Sequence, residues 1–351
     1  MRRILFPLIV IAAIAAGCAK NAPVITEPLK VQKAFELDSL TGSNSVSCTA
    51  YYNDEVYYVQ AYADNFAVRR LDLEGNETLR FEIPRGNGPG EARHSLGIVA
   101  NEKGIYFSDF ALRRISRFDL QGNYLDCIDF SEDTGIVVFF DIMGSEMYTC
   151  AIDTVYMGKI DLGTGAQTAL IPREGKTLQE IGSTVSGGIV ACDRYNGEIY
   201  MGWMSAPYKI ERYDKDLKKL GEYTYNLEKE YKPAKIYPGP NIAGDFTISS
   251  MAITEKHIYA PHISAIFVIR NNQYESKPFT PELFRFDKST GKLDRKYFIE
   301  GITGVEGGFS ILYADDEKIV AVLDGFGDWV KELYPQDTPA ATQSVVVLKK
   351  Q

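Results

Sequence analysis

Three features of the sequence predict an all-β chain folded as a six-bladed β-propeller with four-stranded antiparallel blades. They are short apolar runs that alternate like strands, a basic-apolar-Asp signature at blade-sized intervals, and glycine-rich turns that close the runs. The signature occurs as Arg70-Leu71-Asp72, Arg117-Phe118-Asp119, Lys159-Ile160-Asp161, Arg212-Tyr213-Asp214 and Arg285-Phe286-Asp287. Most copies run into a turn, such as Glu74-Gly75-Asn76, Gln121-Gly122-Asn123 or Ser289-Thr290-Gly291. An Asp there accepts hydrogen bonds from turn amides while glycine takes positive φ, so the signature closes a hairpin.

The elements follow in order. Residues 1–17 read as a secretory signal: Arg2 and Arg3, an apolar run from Ile4 to Ala16 too short to span a bilayer, then Ala15-Ala16-Gly17-Cys18. The Gly-Cys end resembles a bacterial lipobox, which makes Cys18 the lipidated N-terminus of the mature chain. Residues 18–29 are the expected tether and residues 30–351 the expected propeller domain. Acyl chains on Cys18 would hold the protein to a membrane, each buried CH₂ contributing about 0.8 kcal/mol. No later stretch reaches the roughly 20 apolar residues of a membrane span.

Apolar strands with aromatics precede each Asp: Val56-Tyr57-Tyr58-Val59, Ile105-Tyr106-Phe107, Met147-Tyr148-Thr149, Ile199-Tyr200-Met201 and His257-Ile258-Tyr259. Before them come inner runs such as Gly97-Ile98-Val99-Ala100 and Gly188-Ile189-Val190-Ala191. A sixth unit, Phe309 to Ala314, Lys318 to Leu323 and Ser344 to Leu348, ends without an outer strand. Val31 to Leu37 is the N-terminal strand expected to complete it and so remove an exposed edge. One short helical turn is expected at Trp329 to Tyr334.

The long connections, Arg85 to Glu91, Ile171 to Gly182, Leu227 to Asp245, Pro261 to Pro281, Ile302 to Gly308 and Asp324 to Ala340, all fall on one face of such a propeller. Long loops on a rigid scaffold commonly carry function, so that face is the expected binding surface. Within Arg85-Gly86-Asn87-Gly88-Pro89-Gly90-Glu91, the amides of Gly86, Gly88 and Gly90 could form an anion-binding nest, with Arg85, Arg93, His94, Arg113 and Arg114 adding positive charge. The other reading of the same loop is a plain blade connection with Arg85 and Glu91 paired at its base. Trp203 and Trp329, with Tyr208 and Tyr334, are candidate aromatic contacts for a sugar or peptide, or else packing at loop bases.

The chain has 38 Lys and Arg against 47 Asp and Glu, a formal net charge of −9. That balance disfavours nucleic acid, whose phosphates need clustered cations. Enzymatic signatures are missing: there is no Gly-x-Ser-x-Gly, no His-Glu-x-x-His, and the histidines are His94, His257 and His262. The alternative chemistry is a calcium-assisted hydrolase or lactonase with Asp109, Asp193, Asp245 and Glu306 gathered in the funnel. Cys48, Cys127, Cys150 and Cys192 match no zinc spacing, and buried thiols and disulfides both remain open.

The lipobox, the blade repeat and above all Arg85 to Glu91 resemble the TolB-like and NHL-like six-bladed propeller lipoproteins of anaerobic bacteria. In that group a Gly-x-Gly-Pro-Gly-Glu segment recurs between early blades. The resemblance implies an envelope propeller and transfers no catalytic residue. The expectation is a monomer without cofactor, anchored in the outer membrane and facing the periplasm or the cell surface, that binds an envelope protein, peptide or glycan.

Overall fold

The computed structural model describes residues 24–37, 49–131, 134, 137–151, 155–172, 188–204, 207–226, 235–237, 241–270, 273–325, 329–334 and 342–351. The signal segment, Cys18, the first part of the tether and Cys48 lie outside the described residues.

Strand β1 (Ile25–Leu37) is followed by four meanders. The first is β2 (Thr49–Tyr52), β3 (Glu55–Ala61), β4 (Asn65–Asp72) and β5 (Glu77–Pro84). The second is β6 (Gly97–Asn101), β7 (Gly104–Asp109), β8 (Arg114–Phe118) and β9 (Tyr124–Asp129). The third is β10 (Val137–Met143), β11 (Glu146–Ala151), β12 (Val155–Asp161) and β13 (Gln167–Pro172). The fourth is β14 (Gly188–Asp193), β15 (Glu198–Trp203), β16 (Lys209–Tyr213) and β17 (Lys219–Thr224). Each meander is a separate four-stranded antiparallel sheet in chain order, a propeller-like blade.

The rest is less regular: β18 (Lys235–Tyr237), β19 (Asn241–Phe246), β20 (Ala252–Ile253), β21 (His257–Pro261), β22 (Ala265–Arg270), β23 (Gln273–Ser276), β24 (Glu282–Asp287), β25 (Leu293–Ile299), β26 (Phe309–Ala314), β27 (Lys318–Gly325), helix α1 (Trp329–Leu333) and β28 (Thr342–Lys350). Four blades therefore stand as separate sheets, not the six expected. The other blade strands merge into one eight-stranded sheet, β20-β21-β24-β25-β1-β28-β27-β26. The physical reason is β1, which is long enough to pair along both edges. Ile25 to Leu29 runs parallel to β25, and Leu29 to Leu37 runs antiparallel to β28. The N-terminal strand thus covers the expected edge, but it starts inside the expected tether. The two enlarged loops after β17 and β21 also supply a sheet of their own, β18-β19-β22-β23.

The repeated signature has a structural job. Oδ1 of Asp72 accepts the amides of Glu74 and Asn76 at 2.9 Å. Asp119 does the same for Gln121 (2.9 Å) and Asn123 (2.8 Å), and Asp287 for Thr290 (2.8 Å). Gly75, Gly122, Gly165 and Gly291 take positive φ in these turns, between 71° and 85°. The basic residue ties neighbouring strands of its own blade, as Arg212 does to Glu198 at 2.6 and 2.7 Å and Arg285 to Asp294 at 3.0 Å. A one-residue register shift next to the turn recurs in every such hairpin, as between Arg117 and Phe118 or Arg212 and Tyr213, and a bulge of this kind bends and twists the outer strand.

Apolar side chains meet between adjacent sheets. Tyr57, Phe66, Ile83, Ile98 and Phe107 fill the seam of the first two blades, and Leu37, Val56, Tyr58, Val322 and Val345 close the last meander against the first. Among the described residues Cys127, Cys150 and Cys192 form no disulfide, and the last two are buried.

Candidate functional site

Six strands, β2, β6, β10, β14, β20 and β26, line one central cavity of about 410 Å³. Each touches the next, and β26 touches β2. At the end where β20 and β26 begin, Ser249 Oγ donates to the Phe309 carbonyl (3.0 Å) and Ser250 Oγ accepts the Ile311 amide (2.7 Å). This is the loop face, which carries the connections between blades. At the opposite turn face the cavity is lined by Tyr51, Tyr52, Tyr313, Glu102, Asp141, Arg194 and Tyr195. Arg194 donates to Asp141 at 2.6 Å, and Asp141 also accepts the Cys192 amide at 2.8 Å. The Asp141 carboxylate beside it raises the Arg194 pKa further.

Most residues expected in the site on the loop face are engaged elsewhere. Of the three glycine amides expected to form an anion nest, that of Gly88 donates to the loop's own Glu91 carboxylate at 2.6 Å and that of Gly86 to the Ala92 carbonyl at 3.1 Å. A Cβ on Gly86 would stand 2.0 Å from that carboxylate, so glycine there makes room for Glu91. Gly90 takes φ +74° over Tyr124. Arg114, nearly buried, donates to the carbonyls of Asn87 (3.2 Å) and Gly88 (2.7 Å) and to that of Glu91. Arg85 bonds the carbonyls of Tyr62 and Arg93, both at 2.9 Å, and lies over Phe66 at 4.3 Å. It does not pair with Glu91. Glu91→Ala is expected to cost about 1–2 kcal/mol by leaving the Gly88 amide without its acceptor, which urea titration would measure.

The Arg93 amide is held by Asp109, whose other oxygen accepts the amides of Ala111 (2.9 Å) and Leu112 (3.0 Å). His94 packs on Phe110 at 4.9 Å, and Arg113, at φ 51°, donates to the Ser131 carbonyl at 2.9 Å. Trp203 is sandwiched: its Nε1 donates to Glu211 at 3.1 Å, Lys209 Nζ sits 3.9 Å over its ring, and Tyr156 approaches edge-on at 5.9 Å. Trp329 is fully buried in the core around β26 to β28, and Tyr208 is 2% exposed. Trp329 and Tyr208 are core residues, and Trp203 is partly buried against its neighbours.

The four carboxylates considered for calcium do not converge. Asp109 ends β7 on the loop face, Asp193 ends β14 on the turn face, Asp245 lies in the β18-β19-β22-β23 sheet, and Glu306 precedes β26. Asp193 is buried and paired with Lys288. Among the described residues no three His, Cys, Asp or Glu gather as a metal site. The turn-face cluster was missed because its residues sit in short turns with no motif. The one available signal was Arg194-Tyr195 ending an inner run in a tight turn.

The architecture is that of an all-β, propeller-like protein of four-stranded blades around a central cavity. A crystal structure of a DUF4221 family member from Bacteroides vulgatus has this fold, with a TM-score of 0.59 at 13% identity over 92% of this chain and 98% of that one. A protein of Bacteroides fragilis described as exported superposes with a TM-score of 0.51 at 12% identity, over 93% and 99% of the two chains. No protein-family profile and no curated protein matches the chain.

Proposed function

We propose that the protein is a six-bladed propeller that binds a peptide or glycan in its central cavity and performs no chemistry, held at the bacterial envelope by lipid on Cys18. The observation that carries the reading is the cavity itself, bounded by six first strands in a closed cycle of contacts. On this view the eight-stranded sheet counts as two blades spliced by β1, and the β18-β19-β22-β23 sheet is an insertion. At about 410 Å³ the cavity falls in the size range of ligand pockets. The exported description of the B. fragilis neighbour supports the envelope location, as does the lipobox. The TolB-like or NHL-like kinship belongs to this proposal too. Metal chemistry is no part of it, since the four candidate carboxylates stand apart, with Asp109 accepting loop amides and Asp193 paired with Lys288.

Filling the cavity tests the reading. Ala50→Phe and Ala191→Phe place bulk on two of its walls. Native mass spectrometry of protein taken from an envelope extract should show a bound species on the wild type and none on either folded variant. An unchanged adduct on both variants would remove the cavity from the binding function.

A further inference from the structure

The turn-face mouth of the cavity has a chemistry that narrows the ligand, and the argument rests on the cavity reading above. Two tyrosines form a fixed aromatic wall: the Tyr51 and Tyr313 rings stack at 4.5 Å with 25° between planes. The Tyr51 hydroxyl is tied down, donating to Asp54 at 2.6 Å, and Lys318 Nζ lies 5.7 Å over the Tyr313 ring. Rings held in this way lose little entropy when a ligand arrives. Tyr195 is 64% exposed, unlike the other large aromatics of the inner turns. Arg194 is half exposed, with two of its contacts made to Asp141 and the Ile142 carbonyl and further N–H groups to offer.

Three cations around this mouth already have carboxylate partners, while Glu102, exposed at its rim, has no ion pair among the described residues. Arg194 is balanced by Asp141, Lys318 by Asp54 at 2.6 Å, and Lys288 by Asp193. A phosphate or sulfate would have to compete with Asp141 for Arg194, and a cation would find Asp141, Asp54 and Asp193 already paired, with Glu102 alone to hold it. The best-matched ligand is uncharged, with an apolar face for the tyrosines and several hydroxyls for the polar edge. A pyranose ring has that combination: axial C–H groups on one face and hydroxyls around its rim.

We propose that this mouth is a subsite for a neutral saccharide, with a pyranose ring against Tyr195 and the Tyr51–Tyr313 wall and its hydroxyls read by Arg194 and Glu102. Calorimetric titration with neutral mono- and disaccharides (glucose, galactose, mannose, N-acetylglucosamine and their β-linked dimers), alongside glucuronate, glucosamine and a neutral tripeptide, tests it. At least one neutral sugar should bind, with its affinity reduced about tenfold by Tyr195→Ala and by Arg194→Gln and unchanged by Leu125→Ala on the outer strand β9. Tyr195 is exposed enough that its removal should leave the thermal midpoint in place, which separates lost binding from lost fold. The inference is overturned if no neutral sugar binds at about 10 mM, if binding survives Tyr195→Ala, or if only the charged sugars or the peptide bind. In each of those outcomes the cavity-filling variants still report independently on whether the cavity binds anything.

Discussion

Glu211→Gln is expected to lower the unfolding free energy by about 3–5 kcal/mol, while Glu222→Gln beside it changes stability by less than about 0.5 kcal/mol. Both carboxylates pair with Lys219, at 2.7 and 2.8 Å, yet their surroundings differ. Glu222 is 44% exposed, whereas Glu211 is 6% exposed and collects five donors. One oxygen takes Tyr156 (3.0 Å), Trp203 (3.1 Å) and Tyr213 (3.0 Å), and the other takes Lys209 (3.0 Å) and Lys219 (2.7 Å). Tyr156 belongs to the third blade and the rest to the fourth, so this carboxylate holds a seam together. Burial alone pushes its pKa up, but the hydrogen bonds from Lys219, Lys209 and Trp203 outweigh that and bring it down to about 2 from 4.5. A carboxyl depressed on folding stabilises the protein above its unfolded pKa. The contribution, about 3 kcal/mol, is therefore full above pH 4.5 and is lost between pH 4.5 and 2. Chemical denaturation at neutral pH gives the mutational cost, and Trp203 fluorescence reports the seam. Equal effects from the two substitutions would show that the five-donor hub does not form in solution.

The sequence displayed the regular part of this architecture because each repeat states its own turn chemistry. Asp72, Asp119 and Asp287 could be assigned to hairpin closure from their glycine neighbours alone, and the carboxylate geometry agrees. The merging of two meanders into one sheet was not legible, since β1 reads as an ordinary strand whichever of its edges is paired. The site was less legible still. Gly86, Gly88 and Gly90 signal backbone that closes on an anion, but nothing local says that Glu91, three residues from Gly88, supplies it. Trp203 reads as a ligand platform until Lys209 over its ring and Tyr156 set edge-on beside it, from two different blades, are seen. The cavity belongs to no segment at all: its wall combines six strands that lie between Thr49 and Ala314.

Asp324→Asn should stabilise the protein at pH 7.5, by about 3 kcal/mol, and change nothing below pH 4. Asp324 lies near the end of β27 on the loop face, where its backbone exchanges hydrogen bonds with Gly308 at 2.8 and 2.9 Å. The approach is so close that a Cβ on Gly307 would stand 1.6 Å from the Asp324 carbonyl oxygen. Directly across the ladder is Gln343, 4% exposed, whose side-chain amide nitrogen and oxygen have no partner among the described residues. Opposed residues on neighbouring strands share a face, so a carboxyl and an unbonded amide sit together at the seam of the last and first meanders. Burial raises the Asp324 pKa to about 6 from 3.8, with only the Gly325 amide acting against it. A carboxyl whose folded pKa is raised favours the protonated fold. Its cost is absent below pH 3.8, grows as pH rises, and is complete above pH 6. Asparagine removes that cost without changing shape, and a gain of 3 kcal/mol in a chain this long raises the thermal midpoint by about 4 °C. Midpoints of wild type and variant from pH 3.5 to 8 should diverge across the window between 3.8 and 6. A variant less stable than wild type at pH 7.5 would mean that a bound partner compensates the carboxylate in solution. That result would move attention from the turn face to the seam beside Gln343.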